Sequence, residues 1–211
     1  MTKPNKEFSE WVDAIKDLDI SSISLGELID STAKKFPDSE ALVYTNQPDV
    51  KDIRWTYKFL STMSTELAKG FLEAGLSPGD TVGVWGPNHP EWILTEYALA
   101  KAGLKMVTLN PLYKEKELIF ALNTVQAKGL IHADEIGGLP ANDLIKIIKP
   151  QIPSLHHIHS FSEGLKQLAI DGEQSLIELP IVNSKDIFMI QYTSGTTGTP
   201  KAAQMTHEAL I

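Results

Sequence analysis

Residues 186–211, DIFMIQYTSGTTGTPKAAQMTHEALI, carry the most informative pattern in this chain. The apolar run at their start predicts a β-strand, and the nine residues Thr193–Lys201 then bring together five hydroxyls, two glycines and one lysine. Glycines allow backbone N–H groups to approach an anion, hydroxyls donate to its oxygens, and lysine adds a positive charge. An ordinary surface turn also contains Gly, Ser and Thr, but this convergence after a strand favours a phosphate-binding loop.

The spacing of the glycines and the lysine separates this loop from two common nucleotide-binding motifs. A Walker A loop has the form G-x-x-x-x-G-K-[ST] and leads directly into a helix. Here the spacing is G-x-x-G-x-x-K, and Ala202 stands where the magnesium-binding hydroxyl is required. The residues KAAQM look extended, and a helix cap follows only at Thr206. The loop is therefore predicted to join two strands, and the lack of a G-x-G-x-x-G after a strand disfavours a dinucleotide site.

Upstream of this stretch, predicted strands and helices alternate along the chain. The strands are short apolar runs rather than polar/apolar alternations, which is typical of a parallel sheet buried on both faces. Two helices have N-terminal capping patterns, Ser24 with Glu27 and Asn88 with Glu91, and Gly75 is predicted to end the helix between them. The predicted fold class is α/β, with a largely parallel sheet flanked by helices on both faces.

The same pass along the chain divides it into four segments. Residues 1–23 are predicted to be an N-terminal extension, and 24–162 an α/β subdomain. Residues 163–184 look loop-like and are interpreted as a connection. Residues 185–211 are predicted to contain a strand, the phosphate loop and the start of a truncated helix.

Composition limits the classes of function. The chain has 211 residues, no cysteine and a formal net charge of −8. A disulfide framework is excluded, and a broad nucleic-acid surface is disfavoured because such surfaces need clustered Lys and Arg. No apolar run approaches the ~18 residues of a membrane span, and the N-terminus lacks a signal or transit pattern. A soluble, cytoplasmic protein with small-molecule partners is expected, and nothing indicates an oligomeric state.

The segment YTSGTTGTPKAA resembles the signature phosphate loop of the adenylate-forming superfamily, which includes acyl-CoA synthetases, luciferases and nonribosomal adenylation domains. The resemblance extends upstream through WTYKFLSTMSTELAKGFLEAGLSPGDTVGVWGPNHPEW and AKAGLKMVTLNPLYKEKELIFAL, from about residue 24. VTLNPLYKEKEL and TPKAAQMTH are most similar to medium-chain fatty acyl-CoA synthetases. Ala202 departs from the family pattern, in which glycine is commoner at this position. Because alanine is small, only a local effect of this difference is expected.

This resemblance implies the N-terminal part of the adenylate-forming fold and a two-step reaction. A carboxylate attacks the α-phosphate of ATP to give an acyl-adenylate and pyrophosphate, and CoA thiolate then displaces AMP. The loop would hold the β- and γ-phosphates with Mg²⁺ bridging them, and the lysine would counter charge on the leaving pyrophosphate. The implied phosphate-binding residues are Thr193, Ser194, Gly195, Thr196, Thr197, Gly198, Thr199, Pro200 and Lys201.

Other family motifs lie beyond the last residue of this chain. Those for adenine, ribose, the acyl pocket and the catalytic lysine come later in family members, so no catalytic residue and no protein metal ligand is assigned. We therefore expect a truncated, inactive piece of a fatty acyl-CoA synthetase. The alternatives are a ligase for aromatic or amino acids and a non-catalytic anion-binding α/β module.

Several other residues invite a functional interpretation that the sequence does not favour. Three histidines form an HHIH pattern suggestive of a metal site, but strand alternation would split them across two faces, so solvated or edge-strand histidines are predicted. Three aromatic residues are expected in packing, and one histidine after the loop is expected at the surface. The three histidines are His156, His157 and His159, the three aromatic residues are Trp85, Trp92 and Tyr97, and the histidine after the loop is His207.

Overall fold

A six-stranded sheet organises the computed structural model, which describes residues 22–45, 52–193 and 200–211. The strand order is β10-β9-β4-β3-β5-β8; neighbours are parallel except for β10, which pairs antiparallel with β9. Its strands are β3 (Thr81–Trp85), β4 (Lys105–Leu109), β5 (Gly129–His132), β8 (His157–Ser160), β9 (Ile187–Thr193) and β10 (Lys201–Thr206). Two separate hairpins are formed by β1 (Glu40–Tyr44) with β2 (Ile53–Thr56), and by β6 (Glu135–Ile136) with β7 (Leu139–Pro140).

Six helices within the described ranges cover the two faces of the sheet. They are α1 (Leu25–Lys35), α2 (Tyr57–Glu73), α3 (Pro90–Lys101), α4 (Glu115–Thr124), α5 (Ala141–Ile148) and α6 (Glu163–Glu173), with a short 3₁₀ turn at Lys149–Gln151. One core packs α1, α2, α3 and α6 against one face, and a second packs α4 and α5 against the other. Successive strand residues point to opposite cores, as Met106 and Val107 do in β4. The predicted α/β class is thereby confirmed.

Local signals account for several helix boundaries. Ser24 and Glu27 form the predicted capping box at the start of α1. Gly75 has φ 103° just after α2, where it ends the helix as predicted. The predicted Asn88 cap is wrong, because α3 begins at Pro90 and His89 is its N-cap. A residue before proline is restricted to extended conformations, and His89 has φ −152° and ψ 149°, so the helix cannot include it.

The prediction of a loop-like connection over 163–184 is wrong for its first half. Residues 163–173 form α6, whose buried residues recur at helical spacing: Leu165, Leu168, Ala169 and Gly172. The glycines in this segment lower its helix propensity, which obscured the pattern. Residues 174–184 contain no helix or strand.

The helix predicted from Thr206 is a single turn. The Thr206 hydroxyl accepts a hydrogen bond from Ala209 N–H at 3.3 Å, as an N-cap would, but residues 207–211 are not helical.

Helices α2 and α6 cross with their backbones in direct contact, because each contributes a glycine at the crossing. A Cβ atom on Gly172 would lie 1.8 Å from the Glu66 carbonyl oxygen, and one on Gly70 would lie 2.0 Å from the Leu168 carbonyl oxygen. Both neighbours are backbone atoms, so neither can move aside without shifting a helix. The connection from β8 to β9 depends on this crossing.

Lys101 connects three helices on the same face of the sheet. Its side chain is 4% exposed, and its ammonium donates to Asp30 Oδ1 at 2.6 Å, to the Ser61 carbonyl at 2.8 Å and to Thr65 Oγ1 at 2.8 Å. Burial lowers the pKa of Lys101, and the Asp30 carboxylate opposes that effect. Helix α1 is in this way anchored to α2 and α3.

Replacing Gly172 by alanine is expected to lower the free energy of unfolding by about 3 kcal/mol, the upper part of the usual range for overpacking, because the new methyl group meets a backbone carbonyl. Urea denaturation measures this change. Asp171→Ala, an exposed position on the same helix, is the matched control and should change stability by less than about 1 kcal/mol. Equal effects of the two substitutions would contradict the close crossing.

Candidate functional site

The predicted phosphate loop leaves the sheet at the carboxyl ends of its parallel strands. Strand β9 lies beside β4 and ends at Thr193, which is the Cα partner of Lys201 at the start of β10. The loop therefore joins two paired antiparallel strands, as predicted. Ligands of open α/β sheets bind in the crevice outside this edge, so the position of the loop suits a binding role.

The structure describes three of the nine predicted phosphate-binding residues. Thr193, Pro200 and Lys201 are all exposed, and the Thr193–Lys201 pairing brings a hydroxyl-bearing residue and a basic residue to opposite sides of the loop base. The other six, Ser194, Gly195, Thr196, Thr197, Gly198 and Thr199, lie outside the described residues. Ala202, the departure from the family pattern, is half-buried in β10 and packs against the α4–α5 core.

The end of β9 is held against α4 by Tyr192, a residue that no sequence pattern indicated. The Tyr192 hydroxyl donates to the Ala121 carbonyl at 2.6 Å, and its ring lies 6.3 Å from that of Phe120. Ala121 lies near the end of α4, and its carbonyl has no bond from Val125 N–H, because that group donates to the Asn123 carbonyl instead. The Tyr192 hydroxyl therefore supplies a partner from outside the helix. Burial raises the pKa of Tyr192, which keeps the hydroxyl protonated as a donor.

An apolar cavity lies at the same edge, beside the ends of β3 and β4. Its volume is about 460 Å³, and its walls include Trp85, Pro111, Leu112, Tyr113, Leu139 and Leu144. Asn110 shapes one wall, since its side chain accepts from Leu112 N–H at 2.9 Å and its carbonyl from Tyr113 N–H at 2.9 Å. A smaller cavity of about 220 Å³ lies between Phe120, Tyr192 and Pro200 at the loop base. Asn110 and Pro111 form a dipeptide that is typical of turns, but no sequence signal indicated the cavities.

The histidines of the HHIH segment lie at a sheet edge. Strand β8 is the outermost strand on its side, with His156 exposed and His157 and His159 half-buried. Burial is the main cause that lowers the pKa of both half-buried rings. Among the described residues, no three His, Cys, Asp or Glu side chains are arranged to hold a metal ion.

The remaining predicted side chains divide into one confirmation and one correction. The three aromatic residues pack as expected: Trp85 is 2% exposed in one core, and Trp92 and Tyr97 are half-buried against the other. His207 was expected at the surface, but it is 1% exposed and its ring stacks on Phe188. His207 follows the edge strand β10 and contacts the start of α1. Such a long-range contact leaves no periodic pattern in the sequence.

A profile described as AMP-binding enzyme matches residues 29–211. The chain belongs to the AMP-binding enzyme family. Its similarity to the medium-chain acyl-CoA ligase ACSF2, mitochondrial, of Mus musculus is 30% identity over 95% of this chain and 36% of that protein. It is 32% identical to the putative acyl-CoA synthetase YngI of Bacillus subtilis, over 89% of this chain and 38% of that protein.

A solved structure shows the same fold. The crystal structure of a long-chain-fatty-acid-CoA ligase, FadD1 from Archaeoglobus fulgidus, superimposes with a TM-score of 0.76 and 26% identity, over 89% of this chain and 37% of that chain. This member of the AMP-binding enzyme family therefore spans between a third and two fifths of the length of these relatives. The mouse relative is named as mitochondrial, so the comparisons do not support the cytoplasmic expectation. No helix in the described ranges has the length and apolar character needed to cross a membrane.

Replacing Tyr192 by phenylalanine is expected to lower the free energy of unfolding by about 1 kcal/mol, because the Ala121 carbonyl loses its donor while ring packing is kept. Tyr113→Phe, which changes another tyrosine of the same small cavity, serves as the control and should cost less than about 0.5 kcal/mol. Chemical denaturation compares the two. A cost for Tyr192→Phe no greater than the control would show that the hydrogen bond does not fix the end of β9.

Proposed function

We propose that this chain is the ATP phosphate-binding part of an acyl-CoA ligase that activates a fatty acid. One observation carries the proposal: the sequence from Thr193 to Lys201 joins the paired ends of β9 and β10 at the carboxyl edge, within a chain that matches the AMP-binding enzyme family. The names of the similar proteins support an acid–thiol ligase, and that of the mouse relative supports a medium-chain acid.

The residues at the loop base suit a polyphosphate anion. Lys201 is exposed and begins β10, so its ammonium can reach a phosphate group that the loop holds. Thr193 supplies a hydroxyl on the opposite strand, and the six loop residues 194–199 add four more hydroxyls and two glycine positions. Hydrogen bonds to charged groups contribute about 1.5–3 kcal/mol each, so a few suffice for binding.

Magnesium would be held mainly by the nucleotide. The described residues offer no carboxylate or histidine cluster for a metal, and Mg²⁺ commonly keeps several waters while bridging phosphate oxygens. When bound, the ion supplies charge neutralisation at the phosphates. Lys201 adds to this by stabilising negative charge that develops on the pyrophosphate as it leaves.

The reaction proposed for the complete enzyme has two steps. A fatty-acid carboxylate oxygen attacks the α-phosphorus of ATP, and the bond to the bridging oxygen of pyrophosphate breaks. CoA thiolate then attacks the acyl carbon, and AMP leaves. In-line displacement at phosphorus needs positioning and charge stabilisation above all, which is the part that the loop would contribute.

Replacing Lys201 by alanine is expected to weaken binding of Mg·ATP to this chain about tenfold, which corresponds to the loss of one charge-assisted contact of about 1.4 kcal/mol. Isothermal titration calorimetry measures the affinity. Lys185→Ala is the matched control, since it removes the same charge from an exposed residue before the other end of β9. Similar affinities for both variants would contradict phosphate binding at the loop.

A second experiment separates a ligase part from a non-catalytic anion-binding module. We expect no acyl-dependent ATP–pyrophosphate exchange above background from the 211-residue chain alone, because the family's adenine, acyl and catalytic-lysine motifs come later in its members. The same assay on a protein extended to the length of its relatives should show exchange with medium-chain acids. Exchange by the short chain would overturn the first expectation, and inactivity of an extended, folded protein would overturn the ligase proposal.

A further inference from the structure

His207 joins the strand that leaves the phosphate loop to helix α1. It follows β10 at the amino edge of the sheet, opposite the loop. Its ring stacks on Phe188 of β9, with centroids 4.8 Å apart and planes inclined by 19°. Its Nδ1 atom accepts a hydrogen bond from Leu25 N–H at 3.3 Å, in a buried contact across 182 residues of sequence.

This contact supplies an acceptor that α1 cannot provide itself. Leu25 is the first residue of the helix, so its N–H has no intrahelical partner. The capping box serves other donors, since Ser24 Oγ accepts from Glu27 N–H and the Glu27 carboxylate accepts from Ser24 N–H. The imidazole can accept at Nδ1 only when that nitrogen carries no proton, so the neutral ring holds its proton on Nε2.

The surroundings of His207 favour the neutral ring. Burial lowers the pKa of His207, and this outweighs the carboxylates of Asp186 before β9 and Glu27 on α1, which raise it. The neighbouring Glu208 accepts from the Ser184 hydroxyl at 3.4 Å. A protonated ring would also face the positive end of the α1 dipole.

We propose that His207 is a positioning residue for the phosphate loop: its unprotonated Nδ1 fixes the far end of β10 to α1, and the protonated ring releases it. The inference rests on the proposed function of the loop. Helix α1 is a firm anchor because Lys101 joins it to α2 and α3. Strand β10 is at the sheet edge, where β9 is its neighbour, so loss of the α1 contact loosens the strand that begins with Lys201.

The direction of the pH dependence follows from the charge states. A histidine whose folded pKa is lowered stabilises the fold above the ordinary pKa of about 6.5, and this contribution is lost as pH falls through the lower folded value. The contact should therefore be complete near neutral pH and should be lost once the pH falls below the lowered folded pKa of His207.

Two substitutions separate the acceptor from the ring. His207→Asn keeps an acceptor the same number of bonds from the backbone but removes the stacking ring. His207→Phe keeps the ring and removes the acceptor. Hydrogen exchange of the Leu25 amide, corrected for intrinsic rates, and Mg·ATP affinity are measured for each at about pH 7.5, above the ordinary histidine pKa, and at a pH below the folded pKa of His207, which NMR titration of its ring protons locates first.

In the wild-type chain, we expect about tenfold faster exchange at Leu25 and clearly weaker ATP binding at the lower pH, in line with loss of one hydrogen bond. His207→Asn should show slow exchange at both values, and its affinity should change only by the titration of ATP itself. His207→Phe should exchange fast and bind weakly at both. The proposal is overturned if His207→Phe matches the wild type or if His207→Asn keeps the full pH dependence.

Failure of the proposed function gives a different result. In that case no variant binds ATP at either pH, while the exchange of the Leu25 amide still reports whether His207 holds α1. Fast exchange that accompanies global unfolding of a variant is recognised by urea denaturation of the same sample. If exchange at Leu25 is slow in the wild-type chain near neutral pH and fast in His207→Phe while ATP affinity is the same in all variants, the contact is structural only, which also overturns the proposal.

Discussion

The parallel ladder between β4 and β9 is the contact on which the arrangement of this site depends. It aligns Met106 with Met189 and Thr108 with Gln191, so the two strands end at the same edge of the sheet. Strand β9 reaches this position only because α6 carries the chain across one face from β8, and α6 is seated by its glycine crossing with α2. The end of β9 therefore lies at the same sheet edge as the Asn110 turn and the apolar cavity, although these features are far apart in sequence.

Much of this architecture could be predicted from the sequence because its signals are local. Apolar runs of four to seven residues gave the strands, and capping or stop residues such as Ser24 and Gly75 gave helix ends. The proposed phosphate loop could be identified as a candidate because its glycines, hydroxyls and lysine are concentrated in nine consecutive residues. Helix α6 was missed for the opposite reason: its glycines weaken the local signal, and their role appears only when the partner helix is present.

The side-chain contacts that hold the site in place could not be predicted from local sequence patterns. Tyr192 reaches a carbonyl 71 residues away, and His207 reaches an amide 182 residues away, so neither contact leaves a pattern in a short window. Both side chains use a polar atom to satisfy a helix terminus, Tyr192 at the end of α4 and His207 at the start of α1. The hairpin that carries the loop is thus tied to helices on both faces of the sheet.

Strand β10 has a further consequence for how the chain behaves in concentrated solution. Among the described residues, no strand pairs with its outer side, so a row of backbone N–H and C=O groups faces outward. Such an unpaired strand edge is a template on which another chain can add a strand. Charged residues on the edge strand are a common natural protection against this association. Lys201 is the one basic residue in β10, so neutralising it would remove a safeguard against self-association as well as the proposed phosphate contact.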